Sequence, residues 1–122
     1  MSTFTVQGTV SHPDHGGERV IVDFLVGTRA SYMVLPAEIV EQLGVATPYE
    51  RTVELATGEL AIYPLVDVRL ALADQEWTTV FLAGPRGSEA RLGMVTLAHF
   101  GLVADPVNRK LVRMPNVFLM SA

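Results

Sequence analysis

The chain has 122 residues, 49% of them apolar, and a formal net charge of −4; this length suits one domain over residues 1–122 with either a large core or an apolar surface that another subunit covers. Its nine Lys and Arg are scattered, which argues against nucleic acid and anionic membranes as partners, and no apolar run reaches the ~18 residues of a membrane span. With no cysteine in the chain, disulfides, thiolate metal sites and cysteine nucleophiles are excluded, and the opening Met-Ser-Thr-Phe-Thr-Val lacks the features of a signal peptide, so a cytoplasmic protein is expected.

Thr3–Val10 alternates Phe4, Val6 and Gly8 with Thr5 and Gln7, and Arg19–Val26 is β-branched and apolar, so both are predicted strands. Between them Ser11–Gly17 is a cluster of turn formers. Pro36 sits where a first helical residue should, Ile39, Val40 and Leu43 follow at helical spacing, and Gly44 supplies the stop, predicting a helix of about two turns. Arg51–Ala56 and Glu59–Ala73 are predicted strands flanking Thr57-Gly58, and Pro64 implies an edge position or a bulge in the longer one. Glu76–Leu82 is the next strand, ended by Gly84-Pro85-Arg86-Gly87-Ser88, which is expected to be an exposed hairpin loop. Met94–Phe100 is a second predicted helix closed by Gly101, and Leu102–Ala104 with Lys110–Arg113 frame a turn at Asp105–Arg109. Short, evenly spaced strands with two short helices predict a mostly-β, barrel-like domain.

Residues 22–36 read Val-Asp-Phe-Leu-Val-Gly-Thr-Arg-Ala-Ser-Tyr-Met-Val-Leu-Pro. This segment resembles the active-site region of a retropepsin-like aspartic protease, in which an apolar strand runs into Asp-Thr-Gly-Ala-Ser/Thr, then a short apolar strand and Leu-Pro opening a helix. The resemblance continues through Glu41-Gln42-Leu43-Gly44-Val45 (the helix exit), Leu55 with Ala56, Thr57, Gly58 and Glu59 (the flap hairpin), Arg91 with Leu92 and Gly93 (the hydrophobic-Gly motif), and the closing hairpin around Val103–Pro106 and Lys110–Val112. It implies a closed, barrel-like acid-protease fold with two short helices, working as a homodimer whose terminal strands interleave, here Met1–Val6 and Asn116–Met120.

In that alignment Gly27 occupies the aspartate position and Arg29 the motif glycine, while Thr28, Ala30 and Ser31 keep the pattern. Family members share a dyad, one aspartate per subunit, whose two carboxyls hold one proton and activate water. Replacement by Gly27 removes that group from both halves, and Asp23, four residues upstream, is roughly 13 Å away along a strand. Asp14, Asp67 and Asp105 are no better placed. The resemblance therefore implies a catalytically inactive domain, a peptide-binding or dimerisation module in which Thr28 locks the two loops together and a peptide or protein segment occupies the cleft. The alternative is an active aspartic endopeptidase using a non-standard carboxylate or a partner chain.

Other candidates carry weaker patterns. His12, Asp14 and His15 could ligate a metal, but no second ligand pair at fixed spacing supports this, so no metal or other cofactor is expected. Gly84–Ser88 lacks the Gly-Lys-Ser/Thr ending of a phosphate loop, Ser31, His99 and Asp105 show no triad spacing, and Trp77 is expected to pack across strands.

Overall fold

The computed structural model describes residues 4–14, 17–27 and 32–114. The chain opens with an antiparallel hairpin, β1 (Phe4–Ser11) and β2 (Val20–Val26), in the register Phe4↔Val26 to Val10↔Val20. Period-2 alternation turns Val22, Phe24 and Val26 inward and leaves Ile21 and Asp23 at the surface. Gly8 lies in the same inner row: a Cβ there would come 3.0 Å from Phe24 Cε2 and 3.2 Å from Leu70 Cδ1, so the ring of Phe24 fills the space a side chain would need.

After β3 (Met33–Pro36) comes α1 (Ala37–Leu43), which buries Val40 and Leu43 and ends at Gly44, whose φ of 70° lets its N–H reach the carbonyls of Val40 and Glu41. Pro36 was expected as the first helical residue. It is instead the last residue of β3 and the N-cap, with ψ 151°, because its parallel register with Gly84 holds it extended. β4 (Tyr49–Glu54) and the 13-residue β5 (Leu60–Leu72) form a long hairpin, and β6 (Gln75–Gly84) returns antiparallel along the second half of β5. Pro64 faces Glu50 of β4 just before the β6 ladder begins at Leu65, so β5 has a neighbour on one side only at the residue that lacks an N–H.

The two-residue β7 (Arg91–Leu92) leads into α2 (Met94–His99), followed by the hairpin of β8 (Leu102–Asp105) and β9 (Lys110–Arg113). The main sheet runs β1-β2-β7-β3-β6-β5-β4, and an additional β1–β5 pairing at Thr9–Ser11 closes six of these strands into a barrel, with β4 hanging from β5 outside the ring. This corrects the hairpin expected at Gly84–Ser88: β3 lies between β6 and β7, pairing parallel with the first and antiparallel with the second, so the loop crosses over β3. Phe24, Met33, Leu35, Val68, Leu70, Phe81 and Leu92 are fully buried inside the barrel, each worth about 1.5–3 kcal/mol in removal from water. Among the described residues no helix is long and apolar enough to cross a membrane.

Candidate functional site

Gly27 follows directly on β2, whose end is fastened to β7 by the parallel register Leu25↔Arg91 and Val26↔Leu92 and by a 2.8 Å bond from Leu25 N–H to the Ala90 carbonyl. β3 pairs with the same short strand through Val34↔Arg91. The chain thus leaves and re-enters the barrel against one strand, with Gly27 on one side of the break and Tyr32 on the other. Thr28, Arg29, Ala30 and Ser31 lie outside the described residues, as do Met1–Thr3 and Asn116–Met120 of the terminal segments expected to interleave, while Phe4–Val6 pair with β2 of the same chain. Leu92 is fully buried and Gly93 is the extended N-cap of α2, so the hydrophobic-Gly motif seats the helix directly behind Gly27.

An apolar cavity of about 300 Å³ lies beside Gly27, bounded by Met94 and Leu97 of α2, Val103 and Ala104 of β8, and Met114. Of these, Met94 is 58% exposed, as is much of its neighbour Val95. The segment that resembles a flap is the tip of the β4–β5 hairpin. This tip is closed by Leu55 N–H to the Glu59 carbonyl at 2.8 Å and Gly58 N–H to the Leu55 carbonyl at 2.9 Å, with Gly58 at φ 89°, a left-handed position that favours glycine. Ala56 and Thr57 are the central turn residues, and Thr57 Oγ1 accepts the Glu59 N–H. This turn explains why β4 ends at Glu54, two residues before the expected Ala56.

Leu60 and Ile62 fall on the same β5 face as the buried Val66 and Val68, yet they are 70% and 62% exposed. The apolar row of the core thus continues beyond the barrel along one face of this hairpin, and no other described residue covers it. Flap and loop approach each other through a contact that local pattern could not reveal: Arg51 of β4 reaches Tyr32, its Nη1 3.4 Å from the hydroxyl and its guanidinium 5.8 Å from the ring centroid.

The carboxylates are elsewhere. Asp23 is on the exposed face of β2, four residues from Gly27, and Asp14 lies beyond the far end of the β1–β2 hairpin. Asp105 accepts hydrogen bonds from the side chain and backbone of Asn108 and from Val107 N–H, and these, the Asn108 side chain foremost, hold its carboxyl below the ordinary aspartate value. His99 stacks on Trp77 at 6.0 Å between centroids, while Trp77 also faces Leu70 across strands and donates to Gln75 Oε1; His99 and Asp105 therefore have separate partners. In the Gly84–Ser88 loop, the Gly87 N–H donates to the Glu38 carboxylate at 3.1 Å and Arg86 pairs with Glu41 at 2.6 Å, so the loop docks on α1 through the chain's own carboxylates. His12 Nδ1 accepts the Asp14 N–H at 3.0 Å, a turn contact, and among the described residues no three His, Cys, Asp or Glu side chains converge on a metal position. His15 lies outside them.

A closed six-stranded barrel with a projecting flap hairpin and a helix behind the β2 loop is the architecture of the retropepsin-like proteases, and the chain has that fold. The retroviral protease-like domain of Ddi1 from Leishmania major superposes with a TM-score of 0.61 at 14% identity, covering 95% of this chain and 91% of that one. A retropepsin-like aspartic protease from Rickettsia conorii superposes with a TM-score of 0.50 at 18% identity, over 86% and 89% of the two chains. No protein-family profile and no curated protein sequence matches the chain.

Proposed function

We propose that this chain is a non-catalytic retropepsin-like domain, a pseudoenzyme that holds a peptide or protein segment under its flap and works as a cytoplasmic homodimer. The observation that carries the reading is Gly27 at the end of β2, the position that the family resemblance assigns to the dyad aspartate. Dyad chemistry needs two carboxyls close enough to share a proton and orient one water. In a twofold dimer a glycine at this position leaves the carboxyl absent from both halves together.

Binding is supported by the uncovered apolar face at Leu60 and Ile62 and by the Arg51–Tyr32 contact linking flap to loop. A strand laid under such a hairpin gains backbone hydrogen bonds from its edge and apolar contact from its face. Arg29 would supply a guanidinium for a ligand carboxylate. Assembly is supported by exposed Met94 and Val95 beside Gly27, an apolar surface that a second copy would cover.

The test compares peptide-library cleavage, from acidic to neutral pH, by this chain and by the Gly27→Asp/Arg29→Gly double variant, with photocrosslinking of bound peptides to the flap. An inert chain, a double variant that cleaves, and crosslinks at residues 56–62 are expected. Cleavage by the unmodified chain overturns the non-catalytic reading. Crosslinks confined to the surface away from the flap overturn the binding reading.

A further inference from the structure

A second cavity, of about 360 Å³, opens on the outside of the barrel. Its floor follows from strand register. Tyr49 faces Leu65, Asp67 faces Val80, and Leu65 and Asp67 are two apart on β5, so these four side chains leave the sheet on the same outer side. One wall is the link after β1, with His12 and Asp14, and the other is the link between α1 and β4. Gly27 lies beyond the Phe4↔Val26 end of the first hairpin and His12 beyond the Val10↔Val20 end, a separation of roughly 20 Å along the strands. This cavity is therefore distinct from the cleft, and what it binds does not depend on the chemistry at Gly27.

Its lining is apolar and acidic together. Among the described residues no Lys or Arg borders it, and the carboxylates of Asp14 and Asp67 have no hydrogen bond or ion pair there. His12 turns its Nδ1 lone pair to the Asp14 backbone N–H. Tyr49, 72% exposed, contributes an aromatic face at the rim. Two carboxylates without partners, a tyrosine ring and an aliphatic floor are complementary to a positive charge carried on an apolar body, and the volume lies within the range of small-molecule sites.

We propose that this cavity is a binding site for a small organic cation, an aryl amidine or arylalkylamine type of ligand. Its charge lies between Asp14 and Asp67 and its apolar part lies on Leu65, Val80 and the Tyr49 ring. Tyr49 and Leu65 are the root pair of the flap hairpin, so the ligand sits at the base of that hairpin on the face opposite the cleft.

The test is an amide-resolved NMR titration of the whole chain with benzamidinium chloride, with neutral benzamide as the isosteric control. Benzamidinium should shift the amides of Asp14, Tyr49 and Asp67, benzamide should not, and Asp67→Asn should weaken binding about tenfold while Asp23→Asn, an exposed carboxylate elsewhere, leaves it unchanged. Asp67 is exposed and outside the core, so the folded state of its variant can be checked in the same spectra. Equal shifts from benzamide, shifts confined to the Gly27 cleft, or an unaltered affinity in Asp67→Asn would each overturn the proposal.

Discussion

Thr96 offers a direct measure of how α2 is seated behind the cleft. It is fully buried, and its Oγ1 has no hydrogen-bond partner among the described residues. A hydroxyl in that position forfeits its bonds to water, a cost of about 1–3 kcal/mol. Thr96→Val keeps the β-branched shape, replaces the hydroxyl by a methyl and alters helix propensity little. The variant should therefore be more stable by about 1–2 kcal/mol. With 122 residues and about 2.1 cal/mol/K of unfolding entropy per residue, 1 kcal/mol corresponds to about 4 °C, so Tm should rise by about 4–8 °C. Thr96→Ser separates the two groups: it keeps the hydroxyl, loses a buried methyl and should fall by about 1 kcal/mol. Thermal unfolding followed by circular dichroism reads both. If Thr96→Val instead unfolds at a lower temperature than the parent, the hydroxyl has a partner in the folded protein and the reasoning fails.

Glu38, Glu76 and Asp105 are all held below their ordinary values: Glu38 by its own backbone N–H and that of Gly87, Glu76 first by the Arg69 side chain, and Asp105 first by the Asn108 side chain. A carboxyl whose folded pKa is depressed leaves the unfolded chain binding more protons in acid, so the stability from all three is present above their unfolded values and is lost as pH falls through the folded ones; urea midpoints should drop from about pH 5 to about pH 3, more shallowly in Glu38→Gln, and a rise over that window contradicts the assignment. Gly58→Ala forces a side chain into the left-handed region at the flap tip, which should cost about 1–2 kcal/mol and speed amide exchange across residues 54–60, whereas unchanged exchange would mean that the turn is not set by that residue. Gln75 donates to the Phe100 carbonyl at 2.8 Å and accepts from Trp77, so Gln75→Ala should lose about 1–2 kcal/mol and red-shift the emission of the chain's single tryptophan; an unshifted spectrum argues against that bond in solution.

What the sequence made legible tracks the range of the interactions concerned. α1 was bounded by residues adjacent to it, and Gly44 ends it because a left-handed C-cap is a local requirement. The flap turn was readable around Gly58 for the same reason. β7 was not readable as a strand, since two residues have no periodicity; it exists because β2 and β3 both pair with it. The Gly84–Ser88 loop was read as a hairpin because turn formers report a reversal and say nothing about which strand lies next door. Arg51 and Tyr32 are 19 residues apart, and no local pattern in either segment signals that they meet. The outer cavity was missed because the residues that form it are close only through the register of β4, β5 and β6 and the packing of two links.

The same distinction bears on Gly27. A Cβ there would meet no atom of the described residues within 4 Å outside its chain neighbours, and its backbone is not in the left-handed region. Folding therefore places little demand on the residue at that position, whereas Gly8 and Gly84, where a Cβ would approach side-chain atoms at 3.0 Å and 2.8 Å, are constrained by packing. The described pairings around the β2 end involve no side chain at 27, which is why the frame of the fold is clear independently of any chemistry at that position. It follows that Gly27→Ala should be tolerated and even stabilise by about 0.4–1 kcal/mol, because alanine narrows the unfolded ensemble where the native backbone accepts it. Gly27→Asp should fold with a stability within about 0.5 kcal/mol of the parent. Urea denaturation of the two variants separates chemistry from architecture: if Gly27→Ala loses more than about 1 kcal/mol, glycine is required there by the fold, and its presence ceases to be an argument about catalysis.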